Sequence, residues 1–352
     1  MIESNLAQLD ENLRAKRQSF DKVPLLDLSP LVEGSDTVRV AKEIRWALAN
    51  AGFVYIKNHG VPPRLIDEAF AHTRAFFDLP VEEKMKLHIS NSGVALRGYI
   101  QFFGENTDPA KTNDLKECFD IGPERQTLEG PFFGPNQWPT RLPGFREAVF
   151  SCHEAMKDLS IKMLSGIALS LDLPADFFRP QMKCPITIQR LLHYPPQAGV
   201  VDDKVIGMGA HTDHGNLTIL AQDSVGGLQV MNRDGVWVEA NPIPGTFVIN
   251  IGELVQKLTN DGYPANPHRV VNISGQERYS LPFFIDADRD AVIAPLESCV
   301  SDDNPPRYQP VTCGEHKFAR FVERFPHLHR EYATALRHGP AVQRFHRKTA
   351  TT

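Results

Sequence analysis

His211, Asp213 and His214 fall within four positions of the stretch GAHTDHGNLTILAQD, whose flanking residues read as a β-strand. Two imidazoles and a carboxylate so close together could bind a metal, work as an acid–base pair, or simply hydrogen-bond to one another. The H-x-D tripeptide is weak evidence by itself, because with 13 histidines in 352 residues composition alone supplies about one. Its weight depends on what else reaches the same point in space. In a strand, residues i and i+2 share a face, so His211 and Asp213 can stand side by side while His214 turns the other way. His268 opens a second β-like run, NPHRVVN, 55 residues beyond Asp213. If the two runs meet, two imidazoles and one carboxylate lie on one side of an ion. That facial set suits non-haem Fe(II) and O2 chemistry. Structural zinc would want four closed ligands, usually including Cys. Catalytic zinc with two His and one acid stays open at this point, although the helical signature H-E-x-x-H is absent.

Ten residues past His268, Arg278 and Ser280 are again i and i+2 in a β-like run. An arginine facing into a sheet core is costly unless it meets an anion. A guanidinium fork beside a hydroxyl is a natural receptor for a carboxylate. The alternative is an Arg278 exposed at an edge, with Ser280 packing inward.

The elements that must position these residues follow from hydrophobic period. Residues 3–18 put Leu6, Leu9 and Leu13 at helical spacing. VPLLDLSPLV reads as a short strand and a turn, VRVAKEIRWALANAG as a helix stopped by Gly52, and FVYIKNHG as a strand. PPRLIDEAFAHTRAFFDLP is a helix opened and closed by prolines, and residues 143–171 carry the longest helical pattern. After Pro185 the runs TIQRLLHYPP, NLTILAQD, GLQVMN, VWVEA, TFVINIG, HRVVNIS and RYSLPFFI are short and β-rich, with NRDG as a hairpin cue. Such runs suggest a barrel or a double-sheet jelly roll. Residues 316–346 revert to helix. The expectation is one domain over 1–352: a helix-rich part (1–180) packed on a β core (181–300), then a C-terminal helical segment (301–352).

Composition narrows the class. With 41% apolar and 23% charged residues, the chain can bury a large core. A net charge of −5 without a basic stripe argues against a nucleic-acid partner. No apolar run approaches membrane-spanning length. The N-terminal residues lack the apolar stretch of a signal peptide, and five cysteines are scattered singly. Together these predict reduced thiols and a cytoplasmic protein.

H-x-D, a distant His and then R-x-S, in this order and spacing, resemble the iron(II)/2-oxoglutarate-dependent dioxygenases of the isopenicillin N synthase-like family. FVYIKNHGVP, RGYI, DLKECFDIG, LLHYPP, AHTDHGNLTILAQDSVGGLQV, PGTFVINIGELVQKLTND and RYSLPFF resemble successive segments of that family over most of the chain. The resemblance implies an α+β fold with a double-stranded β-helix (jelly-roll) core and flanking helices. It implies Fe(2+) on His211, Asp213 and His268, with Arg278, Ser280 and Tyr194 holding the co-substrate 2-oxoglutarate. It further implies use of O2, hydroxylation of a C–H bond in a small-molecule substrate, and succinate and CO2 as co-products. One position departs: many plant members carry Asn two residues before that tyrosine, where this chain has Leu192.

Arg97, Tyr99, Phe102, Phe103, Glu105 and Phe119 fall in segments that cover the active-site mouth in such enzymes, as does Phe283 after R-x-S, so all seven are candidates to line the substrate. His214 reads as a neighbour of the ligands, and His59, His72 and His193 as packed or surface residues. Two other readings compete. An oxidase that dispenses with the keto acid, like isopenicillin N synthase or aminocyclopropanecarboxylate oxidase, also retains R-x-S, and desaturation or ethylene formation are variants on the same site. A metal-free binding protein on the same fold is the non-enzymatic alternative; an intact triad counts against it, since packing alone does not require all three ligands.

Overall fold

The computed structural model describes residues 23–105, 107, 113–124, 130–197, 200–201, 204–232, 234–325 and 328, together with 8–9. In chain order, the elements that build the site are β1 (Leu25–Asp27), α1 (Thr37–Asn50), β2 (Phe53–Lys57), α2 (Pro63–Phe77), β3 (Gly98–Ile100), β4 (Glu117–Ile121) and α3 (Phe145–Ser170). After these come β5 (Pro185–Tyr194), β6 (Met208–His211), β7 (Leu217–Gln222), β8 (Leu228–Met231), β9 (Trp237–Glu239) and β10 (Phe247–Ile251). The last are α4 (Glu253–Leu258), β11 (His268–Val270), β12 (Arg278–Asp288) and α5 (Cys313–Arg324).

Eight strands form one sheet in the order β1-β2-β10-β7-β12-β5-β4-β3, and four form a second in the order β6-β11-β8-β9. Pairing is antiparallel throughout except between β1 and β2. The two sheets face each other as the jelly-roll core that the sequence predicts. Side chains alternate across the large sheet. Arg190, Leu192 and Tyr194 of β5 point between the sheets. Their neighbours Gln189 and His193 point to the helical side, where Gln189 meets Cys152 of α3 and His193 meets Phe77 of α2.

Local chemistry explains the helix limits. Asp36 caps α1 by accepting from the Arg39 N–H, and Gly52 turns the chain just past its end with φ +69°. Pro63 opens α2, where a missing N–H costs nothing. A capping box between Thr312 and Glu315 starts α5. That start lies three residues before the expected 316, and beyond Phe325 only Leu328 is described. Two further expectations change. A single helical turn, Ser29–Glu33, with Pro30 in its first turn, stands where a turn is predicted after β1. The predicted helix over 3–18 lies outside the described residues except at Gln8–Leu9, which pair in parallel with Val200–Val201 as a short strand. At those two residues a partner strand satisfies the backbone.

Candidate metal centre

β6 ends on His211 and β11 begins on His268, and the two residues are direct cross-strand partners. Their rings lie 4.2 Å apart. Asp213 sits in the turn that follows β6, rather than in the strand itself. Its Oδ1 is 3.8 Å from His211 Nε2 and 3.7 Å from His268 Nε2. One donor atom from each side chain lies within 4.8 Å of the other two. Among the described residues, no other three His, Cys, Asp or Glu side chains converge in this way.

The surrounding contacts aim these atoms. His211 Nδ1 lies 2.9 Å from the Gly209 carbonyl oxygen and His268 Nδ1 lies 3.4 Å from that of Asn266, so each ring turns Nε2 inward. With Nδ1–H donating to the backbone, Nε2 carries the free lone pair, the tautomer a metal needs. Asp213 Oδ2 accepts from Thr218 Oγ1 at 2.5 Å and Asn250 Nδ2 at 2.7 Å, which leaves Oδ1 for the shared point. Phe53 packs edge-on against the His268 ring at 5.5 Å.

The turn itself is shaped by two glycines. A Cβ on Gly252 would lie 2.3 Å from the Gly215 carbonyl oxygen and 2.7 Å from that of Asp213. Because no Cβ is there, the N–H groups of Gly252, Glu253 and Leu254 reach the carbonyls of Asn216, Asp213 and Gly215 at 3.1, 2.8 and 3.1 Å. His214 turns away from the triad to Glu253 Oε1 at 3.4 Å, as its odd position in the run predicts.

Electrostatics agree with a ligand set. Burial drives the His211 imidazole well below its ordinary pKa, and the neighbouring His268 pushes the same way against Asp213. Burial would raise the Asp213 carboxyl, but His268 and His211 outweigh it and hold it below the usual carboxylate range. A neutral imidazole and an ionised carboxylate are the forms that bind a cation. Two nitrogens and one carboxylate oxygen fit a ferrous ion with open positions, and lack the fourth ligand of a structural zinc site.

Beside the triad, Arg278 is 1% exposed. Its Nε donates to the Gly226 carbonyl at 2.8 Å, Nη2 to Gln222 Oε1 at 3.2 Å and Nη1 to Ser280 Oγ at 3.4 Å. Its guanidinium carbon stands 4.8 Å from the Tyr194 ring centroid. These partners are all neutral, and no carboxylate among the described residues pairs with it. Arg278, Ser280, Tyr194, His211, Asp213 and His268 share one pocket, and Leu192 is part of its apolar wall.

The seven proposed lining residues fare differently, for none of them lines this pocket. Phe283 is a correction. It packs edge-on against His153 of α3 at 5.3 Å, while Ser280, Pro282 and Phe284 point to the pocket side. The strand period that joins Arg278 to Ser280 places Phe283 on the opposite face. Phe119 and Tyr99 are also corrected: they are cross-strand partners on the helical side, where Phe119 packs on Phe76 and Phe145. The Tyr99 hydroxyl donates to Glu117 Oε2 at 2.5 Å. Arg97 is fully buried with its donors on the carbonyls of Phe132 and Leu96, away from the pocket. Phe102 lies 6.0 Å from the His193 ring, and Phe103 is half exposed. Glu105 stands one side chain back, bonded to the pocket residue Arg190 at 2.8 Å. Burial would raise the Glu105 carboxyl, but Arg190 and Lys116 outweigh it and hold it at about 2.

Thr218, Asn250 and Gly252 escape the sequence reading. A signal for Asn250 exists: it is the single polar residue in the strand FVINI. His193 is more than a packed residue, since it bridges Glu117 at 2.7 Å and Glu277 at 2.5 Å.

Comparisons with known proteins bear on both halves of the chain. A family profile described as non-haem dioxygenase in morphine synthesis N-terminal matches residues 23–141, and that of the 2OG-Fe(II) oxygenase superfamily matches residues 185–287. The chain is 36% identical to the 2-oxoglutarate-Fe(II) type oxidoreductase hxnY of Emericella nidulans, over 82% of this chain and 86% of that protein. It is 35% identical to the homoarginine-6-hydroxylase 2-ODD-233 of Oryza sativa subsp. japonica, over 87% of this chain and 98% of that protein. A full-length Neurospora crassa protein, crystallised in complex with alpha-KG and thymine, superposes with a TM-score of 0.77 at 29% identity, covering 88% of this chain and 99% of that one.

Proposed function

The chain belongs to the 2OG-Fe(II) oxygenase superfamily, and on that premise we propose that His211, Asp213 and His268 hold its ferrous ion while Arg278, Ser280 and Tyr194 hold 2-oxoglutarate. The protein is a non-haem iron dioxygenase with 2-oxoglutarate and O2 as co-substrates. When bound, iron supplies oxidative decarboxylation of the keto acid by O2, giving succinate and CO2, coupled to oxidation of a substrate C–H bond. The rest is work for this chain's side chains. His211 and His268 present Nε2 because backbone carbonyls hold their Nδ1 atoms. Thr218 and Asn250 hold Asp213 Oδ2, so Oδ1 faces the same point. Three ligands on one side leave the other side open for co-substrate and O2. Leu192, Leu228, Val270 and Phe284 exclude water from the pocket.

One observation carries the reading: a cross-strand pair of imidazoles shares its pocket with a buried arginine that has no carboxylate partner among the described residues. Leu192, where many plant members have Asn, makes the pocket wall apolar at that point. Anchoring of the keto acid therefore falls on the Arg278 end. The substrate is a small molecule and hydroxylation is the expected outcome, in keeping with the relatives named for hydroxylation and for a thymine complex. Phe102, Phe103 and Glu105 stay candidates for the mouth of the site. One hydrophobic cluster from Val23 to Leu328 supports a single domain. No helix among the described residues is long and apolar enough to cross a membrane, and the free thiols of Cys118, Cys152, Cys299 and Cys313 support a cytoplasmic setting. The test is anaerobic loading with Fe(II), then O2, 2-oxoglutarate and a panel of nucleobases, amino acids and heterocycles. Succinate formed in step with an oxidised panel member supports the proposal. Absence of both 2-oxoglutarate binding and succinate overturns it.

A further inference from the structure

His316, Arg320 and Arg324 recur every fourth residue along α5, so they share one face of the helix. The first two have a partner. His316 Nε2 lies 3.1 Å and Arg320 Nη2 3.3 Å from Glu253 Oε2. The other Glu253 oxygen accepts from Thr212 Oγ1 at 2.8 Å, in the turn between His211 and Asp213. These contacts fix which face of α5 looks toward the triad. Arg324, one turn further along that face, makes no hydrogen bond or ion pair with a described residue, yet it is only partly exposed. Its charge is close enough to act on Glu105, Arg190, Asp213 and Asp114, and on the His211 ring.

The other cations near it are paired. Arg190 donates to Asp120 through Nε at 2.8 Å and Nη2 at 2.7 Å, and to Glu105 through Nη1 at 2.8 Å. Lys116 Nζ is 2.6 Å from Asp114 Oδ2 and 3.7 Å from Glu105 Oε2. Arg97 acts on Asp120 from the helical side. Among the described residues, Lys116 and Arg190 are thus paired with the carboxylates Asp114, Glu105 and Asp120. Arg324 is the one cation among them that makes no hydrogen bond or ion pair with a described residue. Arg190 brings the network to the pocket wall beside His211 and Asp213.

We propose that Arg324, with Arg190 behind it, receives a carboxylate of the small-molecule substrate beside the triad and so selects acids over their neutral analogues. This rests on reading the triad as the iron site of a 2-oxoglutarate oxygenase. A guanidinium without a carboxylate partner among the described residues matches the two oxygens of one carboxylate. The acid is distinct from 2-oxoglutarate, whose own clamp, Arg278, sits on β12.

The test is binding to the full chain, loaded with Fe(II), saturated with 2-oxoglutarate and kept anaerobic. The probes are acetate, hexanoate and 3-phenylpropanoate, each paired with its primary amide and measured by calorimetry. At least one acid binds roughly tenfold or more tightly than its amide, the scale of one charge-assisted contact. In R324Q that preference falls to near unity, and R324K retains part of it. Equal binding of acids and amides, failure of all three acids to bind, or a preference that survives in R324Q each overturns the inference. Titrating 2-oxoglutarate into every variant separates loss of an acid subsite from collapse of the iron site. A wild-type protein that does not bind 2-oxoglutarate overturns the parent reading and this inference with it.

Discussion

Replacing Arg278 with methionine gives the sharpest test of the co-substrate clamp. The guanidinium is 1% exposed, and its partners among the described residues are a carbonyl, an amide oxygen, a hydroxyl and an aromatic face. All of them are neutral, so an arriving carboxylate makes a full charge pairing that no described residue supplies. Removing one member of a buried, hydrogen-bonded charge pair costs about 3–5 kcal/mol. By the usual conversion that is roughly 10²- to 4 × 10³-fold in Kd. Methionine also removes a buried cation and keeps similar bulk, so the ligand-free stability should change far less than the affinity. Calorimetry with 2-oxoglutarate on metal-loaded protein reads the first quantity, and thermal unfolding reads both. At a hundred times the wild-type Kd, the keto acid stabilises wild-type protein by about 2.7 kcal/mol. In R278M the same concentration should give less than about 0.5 kcal/mol. A lysine at this position keeps the charge without the fork and should fall between the two. If R278M binds 2-oxoglutarate within threefold of wild type, the clamp lies elsewhere and the reasoning is refuted.

Asn250→Leu frees Asp213 Oδ2 from one of its two donors and should weaken Fe(II) binding about 10–100-fold, measured by competition with a metal indicator. Gly252→Ala puts a methyl 2.3 Å from the Gly215 carbonyl oxygen; the Asp213 turn must move, so metal affinity should fall while circular dichroism stays close to wild type. Phe283 is fully buried against α3, so F283A should cost about 3–5 kcal/mol in denaturant unfolding; F284A, on the pocket side, should instead widen the range of accepted substrates. His193 is held above its ordinary pKa: burial would lower it, but the hydrogen bonds it donates to Glu117 and Glu277 outweigh burial. A raised histidine stabilises fully below about 6.5 and loses that contribution as pH rises through the folded value. Urea midpoints at pH 6 and pH 8 should therefore differ more in wild type than in H193Q; an equal difference in both would remove His193 from the account.

Much of this architecture is legible because period and punctuation agree. The long helical pattern over 143–171 appears as Phe145–Ser170, and each β-rich run after Pro185 contains a strand. The pairing of His211 with His268 follows from the same logic, since one ends a strand, the other begins one, and antiparallel register sets them opposite. Pocket lining is harder for a physical reason. β4 is buried on both faces, so its apolar pattern does not say which side meets helices and which meets the cavity. Phe119 and its partner Tyr99 could be assigned only after the sheet order was known. Phe283 is different. Counting by two from Arg278 already points Pro282 and Phe284 inward and Phe283 out.

What no local pattern can reveal is the charge network behind Arg190. Its partners Asp120 and Glu105 lie 70 and 85 positions away in the chain, and a solitary arginine in the apolar run TIQRLLHY looks like an edge residue. Register makes it otherwise. Arg190 pairs across from Asp120 on the pocket side of β4. A slip of one residue between β4 and β5 would set Arg190 against an apolar neighbour and turn Asp120 toward the helices. Each mispaired ion would be buried without a partner, at a cost of several kcal/mol. The pairing thus specifies the register that brings Leu192 and Tyr194 to the pocket. Because Glu105 also bonds Arg190, the charges are reversed in an E105Q background, where D120R with R190D should restore the fold that either single change weakens. If the double variant is no more stable than the singles, the ion pair does not set the register.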